Sequence, residues 1–208
     1  MLAAMTVRRL EAHRQELLQC RACPNVHPPV VAGPPHVSPI YLLGQAPGPR
    51  EGALGRPFAW TAGRTLFRWL ATLGADEETF RSRAYIGAVL RCFPGKASGG
   101  GDRVPARDEI ERCRPWIARE VELCEPELVI AVGRLAIEQV LSAKVERLEH
   151  VVGGVRPVHF HGRAVDVVAL PHPSGLSAWP KIEPGKTLLA SALTALGSHP
   201  AWRRTFRR

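Results

Sequence analysis

Long apolar runs are missing from this 208-residue sequence, and aromatic residues are scarce at 6%. No run approaches the roughly 20 apolar residues that cross a bilayer. The N-terminal segment carries charges throughout, unlike the apolar core of a signal peptide. These absences argue against a membrane or exported protein and predict a bacterial-type cytosolic one. The 45% hydrophobic content is that of a globular protein, and the length suits a single domain over residues 1–208.

Acidic residues are also few, with 19 against 28 lysines and arginines, which gives a net charge of +9. A polyanionic partner is the simplest implication, because each contact between a basic side chain and a phosphate releases counterions and adds affinity. The alternative is a basic protein that binds nothing acidic. Only a clustered patch of charge separates the two.

The five cysteines are an odd number, and without an export signal they favour metal or redox chemistry over disulfides. Cys20 and Cys23 form a CxxC turn, Cys92 ends a predicted strand, and Cys113 faces inward on the next predicted helix. These four thiols could meet near the end of the first helix. Cys124 follows Cys113 by about 16 Å of helix, at about 1.5 Å per residue, which is too far for one cluster.

Four thiolates suit either tetrahedral zinc or a 4Fe-4S cluster. Structural zinc sites usually join two local pairs, whereas only one local pair is present here, so the pattern favours iron and sulfur. Four buried free cysteines are the remaining alternative.

Strand and helix patterns alternate along the chain, which predicts an α/β fold: a three-layer α/β/α sandwich around a mostly parallel four-stranded sheet. The predicted strands are Ile40 to Leu43, Ala84 to Arg91, Leu128 to Val132 and Val165 to Leu170. The predicted helices are Val7 to Gln19, Ala62 to Leu73, Asp108 to Leu123, Arg134 to Leu141 and roughly Gly185 to Leu196. Residues 1–37 form an N-terminal helix and lead-in to the cysteines, and residues 198–208 form a basic tail.

A conspicuous loop follows each predicted strand, at residues 45–48, 92–95, 133–134 and 172–175. Parallel strands place all four loops at the carboxyl edge of the sheet, where α/β folds bind ligands. This convergence predicts a pocket. The segment 93–107 between the second strand and its helix is rich in glycine and has no periodicity, so we expect it to be mobile.

The first loop, GQAPG, is followed by GRPF, which returns the ring of Phe58 toward it. In the last loop, His172 is fixed between two prolines, and Ser174 to Ser177 offer hydroxyls and a protruding Leu176. Such a loop suits a protein that inserts a wedge into a base stack and extrudes a nucleotide. The plainer interpretation is an ordinary strand connection with a structural histidine.

Together GQAPG, GRPF, YIGAVLRC, LVIAVGR and HPSGLS resemble the iron-sulfur uracil-DNA glycosylases of families 4 and 5, in the right order over roughly residues 15–197. The resemblance implies hydrolysis of the bond between a flipped deaminated base and deoxyribose, and DNA containing such bases as partner. It implies a 4Fe-4S cluster held by Cys20, Cys23, Cys92 and Cys113. We expect a nucleoid-associated monomer.

The resemblance also implies roles for the loop residues. Phe58 would stack on the base, the backbone at Gln45 and Ala46 would face its edge, and His172 would donate a hydrogen bond to the base oxygen. The phosphate-binding and wedge segment would be Ser174, Gly175, Leu176 and Ser177.

Two positions depart from family 4. Gln45 stands where an acidic residue is common, and an amide can orient water but cannot take its proton. Ala88 stands where an asparagine reads the uracil edge, which predicts weaker discrimination and activity on other bases such as hypoxanthine. A catalytically weak iron-sulfur DNA-binding protein of the same fold, and a zinc-stabilised nucleotide hydrolase, are the alternatives.

Overall fold

A computed structural model describes the backbone of residues 2–206 and the side chains from residue 4 onward. Its helices are α1 (Leu2–Leu18), α2 (Glu51–Leu54), α3 (Thr61–Ala71), α4 (Glu77–Arg83), α5 (Arg107–Cys124), α6 (Arg134–Leu141), α7 (Gly185–Ser198) and α8 (Pro200–Phe206). Its strands are β1 (Ile40–Gly44), β2 (Tyr85–Ala88), β3 (Leu128–Val132), β4 (Val155–Phe160) and β5 (Arg163–Leu170). Across the described range, no helix combines the length and apolarity needed to cross a membrane.

The sheet has the strand order β2-β1-β3-β5-β4, and its first four strands are parallel. Every residue of β1 and β3 is buried. Because successive side chains of a strand point to opposite faces, both faces of the sheet are covered by helices, as the α/β sandwich prediction required.

The prediction of four strands was wrong by one, because β4 adds a fifth strand antiparallel to β5. Its sequence, VRPVHF, is mostly exposed and contains Pro157, so it shows neither the apolar run nor the alternation of a buried strand. Proline is tolerated at such an edge position. His161 and Gly162, both at positive φ, make the two-residue hairpin that joins β4 to β5.

The basic C-terminal segment is a helix packed on the core as far as it is described. Trp202 is fully buried, its ring centroid lies 4.4 Å from that of Phe206, and its indole N–H donates to the carbonyl of Leu73. Arg207 and Arg208 lie outside the described residues. The two aromatic side chains therefore fix the end of the chain against α4 and α7.

Candidate active site and cysteine cavity

The carboxyl ends of β1, β2, β3 and β5 meet at one edge of the sheet because these four strands are parallel. The GQAPG loop leaves β1, which lies between β2 and β3. The HPSGLS loop leaves β5, one strand beyond β3. The chain after β2 continues along β1, where Val89 N–H and Leu90 N–H donate to the carbonyls of Gly44 and Gln45.

The ring of Phe58 lies over the end of β1. A Cβ on Gly44 would come within 2.7 Å of Cζ of Phe58, and one on Gly63 within 1.7 Å of its carbonyl oxygen, so both positions require glycine. Phe58 itself has φ 54°, a conformation that non-glycine residues rarely adopt. Arg81 holds it there by donating to the Phe58 carbonyl at 2.9 Å. Ala88 is the register partner of Gly44 and is buried beside it.

A buried carboxylate that the sequence interpretation missed connects the two ends of this loop. Glu51 accepts hydrogen bonds from Gly48 N–H at 3.1 Å and from Ala59 N–H at 2.9 Å. Burial raises the pKa of Glu51, and these backbone hydrogen bonds counter the rise in part. Since Ala59 follows Phe58 directly, Glu51 fixes the aromatic ring relative to the GQAPG loop. Gln45 and Ala46 are half-buried in that loop.

His172 packs against the end of β3. A Cβ on Gly133 would lie 3.2 Å from its Cδ2 atom, and Gly133 has φ 86°. Ser174 N–H donates to Nδ1 of His172 at 3.3 Å, so the ring hydrogen is on Nε2. Burial lowers the pKa of His172 from its usual 6.5, against the field of Asp102, so the ring is neutral at pH 7. A neutral imidazole with Nε2–H is a hydrogen-bond donor.

The structure therefore brings Phe58 and His172 to the same edge of the sheet, Phe58 over the end of β1 and His172, which follows β5, against the end of the intervening strand β3. The HPSGLS loop projects from this edge. Leu176 is 87% exposed, and a turn closed by Ser177 N–H and the Ser174 carbonyl presents it. Lys181 donates to the carbonyl of Gly175 at 3.1 Å. A cavity of about 320 Å³ beside the loop is lined in part by Arg68, Lys181 and Ser174, which are suitable groups for phosphate.

Cys20, Cys23, Cys92 and Cys113 line one cavity of about 80 Å³ between α1, α5 and the chain after β2. This is several times the roughly 10–15 Å³ that a single water needs. All five cysteines are free, and Cys124 lies elsewhere, with its thiol 3.8 Å from the carbonyl of His36. Within residues 2–206, no three His, Cys, Asp or Glu side chains are grouped as they would be around one metal ion.

Four sulfurs around a cavity of this size are a donor set that either a polynuclear cluster or a single ion can use. Burial and the neighbouring cysteines raise the pKa of Cys92 to about 11. Burial likewise raises the pKa of Cys113. Thiolates at these positions therefore need a positively charged centre to stabilise them, which a bound metal supplies. The donor set of four sulfurs in an otherwise largely apolar cavity is compatible with 4Fe-4S.

A set of buried polar side chains lies next to the cysteine cavity, on the side of the sheet. Arg91, the residue before Cys92, pairs with Glu120 of α5, and the Glu120 carboxylate also accepts hydrogen bonds from Tyr41 at 2.5 Å and Tyr85 at 2.8 Å. The group connects α5 to β1, β2 and the cysteine-bearing chain. The sequence interpretation did not identify it, because its members are spread over four separate segments.

Comparison with known proteins agrees with this geometry. A family model of the uracil DNA glycosylase superfamily matches residues 31–196. A Type-4 uracil-DNA glycosylase from Archaeoglobus fulgidus is 29% identical over 175 residues, covering 81% of this chain and 83% of the relative. One from Thermotoga maritima is 28% identical, with 80% and 82% covered. A Type-5 uracil-DNA glycosylase from Pyrobaculum aerophilum is 29% identical, with 66% and 62% covered. The resemblance expected from the loops is thus confirmed, and the chain belongs to the uracil-DNA glycosylase superfamily.

Proposed function

We propose that the protein is a DNA-repair glycosylase that hydrolyses the bond between uracil and deoxyribose in DNA and leaves an abasic site. The observation that carries this proposal is the position of Phe58 and His172 at one sheet edge, in a chain that belongs to this superfamily. An aromatic ring over the end of β1 and an imidazole after β5, with only β3 between the two strands, can hold a flipped base by its face and by its edge.

The chemistry requires a donor at the base because the departing base takes the electron pair of the broken bond. His172 is suited to this role, since its Nδ1 accepts the Ser174 N–H and its Nε2–H is therefore the donor. A neutral donor that already points at the base oxygen in the bound state stabilises the negative charge that grows there, and no proton has to be transferred. Phe58 stacks on the base and keeps its oxygen aligned with His172.

The DNA strand is held by the remaining part of the HPSGLS loop. Ser174 and Ser177 offer hydroxyls and Gly175 permits close approach of a phosphate, with Arg68 and Lys181 adding positive charge. Leu176 enters the space that the flipped base leaves. The net charge of +9 favours association with DNA in general.

Cys20, Cys23, Cys92 and Cys113 would hold a 4Fe-4S cluster, whose contribution here is to cross-link α1, α5 and the chain after β2. None of these cysteines lies on the loops that carry Phe58 and His172. The test is the iron and sulfide content of the purified protein and its visible absorption, compared between the parent, C113S and the matched control C124S. Stoichiometric zinc in a colourless parent would contradict the proposal.

We further propose that discrimination against other deaminated bases is weak. Ala88 offers no hydrogen bond to the edge of a base, whereas the family 4 asparagine does. Hypoxanthine should therefore be released as well as uracil, although more slowly.

The experiment that tests the function uses single- and double-stranded oligonucleotides carrying one uracil or one hypoxanthine. The protein is incubated with each substrate, and abasic sites are then cleaved with alkali and counted. Strand breaks at uracil that the parent produces, and that H172Q produces at least about 100-fold more slowly, would support the proposal. Tight binding of the DNA without any breaks would instead favour a DNA-binding protein of the same fold that has lost catalysis.

A further inference from the structure

The glycine-rich segment between β2 and α5 brings one carboxylate to the candidate base site. Oδ2 of Asp102 lies 3.7 Å from the position that a Cβ would take on Gly48, in the GQAPG loop. The negative charge of Asp102 also acts on His172, where it opposes the lowering of the imidazole pKa by burial. Asp102 is therefore close to both loops that form the site.

The position of Asp102 is fixed by its neighbour in the chain. Arg103 donates to both carboxylate oxygens of Glu109 at 2.8 Å, to the carbonyl of Pro94 at 2.8 Å and to the carbonyl of Asn25 at 3.0 Å. Its own backbone N–H donates to the carbonyl of Gly95 at 2.8 Å. These contacts join the segment to α5 and to the turn that carries the CxxC pair.

The two oxygens of Asp102 have different surroundings. Oδ1 lies 2.6 Å from Nζ of Lys96, its partner in an isolated β-bridge across the segment. Oδ2 is the oxygen that approaches Gly48. The ion pair with Lys96 thus orients the carboxylate and leaves one oxygen on the side of the GQAPG loop.

We propose that Asp102 is the carboxylate that activates the attacking water, an inference that rests on the proposed glycosylase function. Gln45 occupies the position where family 4 carries an acid and cannot accept a proton. Glu51 is nearby, but its two oxygens accept backbone hydrogen bonds. Asp102 would supply from a different loop the base that position 45 lacks.

In the step itself, the water oxygen bonds to C1′ of the sugar as the bond from C1′ to the base nitrogen breaks. The electron pair of that bond leaves with the base, whose anion accepts a hydrogen bond from His172. One water proton passes to the Asp102 carboxylate and then to solvent, and the base anion takes a proton from solvent on release. The products are the free base and an abasic sugar.

The test measures the rate of uracil release in single turnovers with enzyme in excess, together with the affinity for an oligonucleotide bearing an abasic analogue. D102N should slow release by at least about 100-fold, the lower range for loss of a general base, with affinity unchanged. D102E should recover part of the rate. The double variant D102N/Q45E should also recover part of it, because it restores an acid at the family 4 position.

E111Q is the matched control, since it also removes one carboxylate that pairs with a basic side chain, here Arg114 on the surface of α5. Its rate should stay within about fivefold of the parent, as expected for an exposed pair. The inference is overturned if D102N releases uracil at the parent rate, if E111Q is slowed as much as D102N, or if D102N loses affinity for the abasic analogue. In each case the proposed function stands as long as the parent is active. A parent that releases no base would refute both.

Discussion

Two groups of titratable side chains in this protein differ in whether both oxygens of their carboxylate are paired with side chains of the chain itself. The inner group surrounds Glu120, which is fully buried and accepts from Tyr41, Tyr85 and Arg91. Burial alone would raise the pKa of Glu120, but the charge of Arg91 and the interactions with His13 and the two tyrosine hydroxyls outweigh it, so the pKa is lowered. The carboxylate is thus ionised and closely paired.

The outer group contains His172 and Asp102 at the sheet edge. His172 uses Nδ1 for the Ser174 N–H and keeps a hydrogen on Nε2, and Asp102 uses Oδ1 for Lys96 and turns Oδ2 toward Gly48. In each side chain, one polar atom forms a contact that orients the group, and the other polar atom is left for a substrate or a water molecule. The comparison indicates that the inner group stabilises the fold whereas the outer group is available to a substrate.

The largest expected effect comes from breaking the inner group. Glu120→Gln should lower the free energy of unfolding by about 3–5 kcal/mol, because it leaves the buried Arg91 without a counter-charge. Urea denaturation at pH 7 measures this change. The rate of uracil release per folded molecule should be unaffected.

Glu122→Gln is the matched control for this variant, because Glu122 lies on the same helix and pairs with Arg119 at the surface. Its urea midpoint should match that of the parent. Equal midpoints for the two variants would contradict the assignment of the inner group to stability.

His172→Gln should have the opposite result: it should lower the rate of uracil release and leave the stability of the fold almost unchanged. The rate of uracil release should fall by about 100- to 1,000-fold, the cost of removing one donor to a developing anion. The urea midpoint should stay close to that of the parent, because His172 is only half-buried. His159→Gln, an exposed histidine on the edge strand β4, is the control and should retain the parent rate.

The contribution of Glu120 to the unfolding free energy should depend on pH, and this change is smaller than that of the two substitutions above. The pKa of Glu120 is lowered from its usual 4.5 by folding, so its stabilising contribution is present above pH 4.5 and is lost as the pH falls through the folded-state value. The difference in unfolding free energy between the parent and E120Q should therefore be largest near neutral pH and shrink below 4.5. A difference that stays constant into the acid range would contradict this interpretation.

The sequence predicts the buried part of the fold well. β1, β3 and β5 contain apolar runs that are typical of a covered parallel sheet, and their order places the loops at one edge. β4 could not be recognised because it is exposed and carries Pro157, and α8 was obscured by its arginines. Tertiary burial of Trp202, rather than local pattern, makes that segment part of the core.

The candidate site could be predicted only where a residue follows directly from a strand or a loop motif, as Phe58 and His172 do. Glu51 and Asp102 were missed because each resembles a solvated surface charge in the sequence. Their signals are weak but present: Glu51 is an acid three residues after Gly48 in a loop of glycine and proline, and Asp102 is the one acid in a run of glycines. Only folding places Glu51 against Ala59 and Asp102 against Gly48.

Leu176 gives the smallest expected effect and extends the comparison to the DNA. It is 87% exposed in the HPSGLS loop, where the proposed function places it against the base stack. Leu176→Ala should slow uracil release from duplex DNA about tenfold, since extruding a stacked base costs a few kcal/mol that the wedge offsets in part. Release from single-stranded DNA should change little, because no paired stack has to be filled. Ile182→Ala, another exposed apolar residue, is the control, and an equal loss on both substrates would mean that Leu176 positions the loop instead of replacing the base.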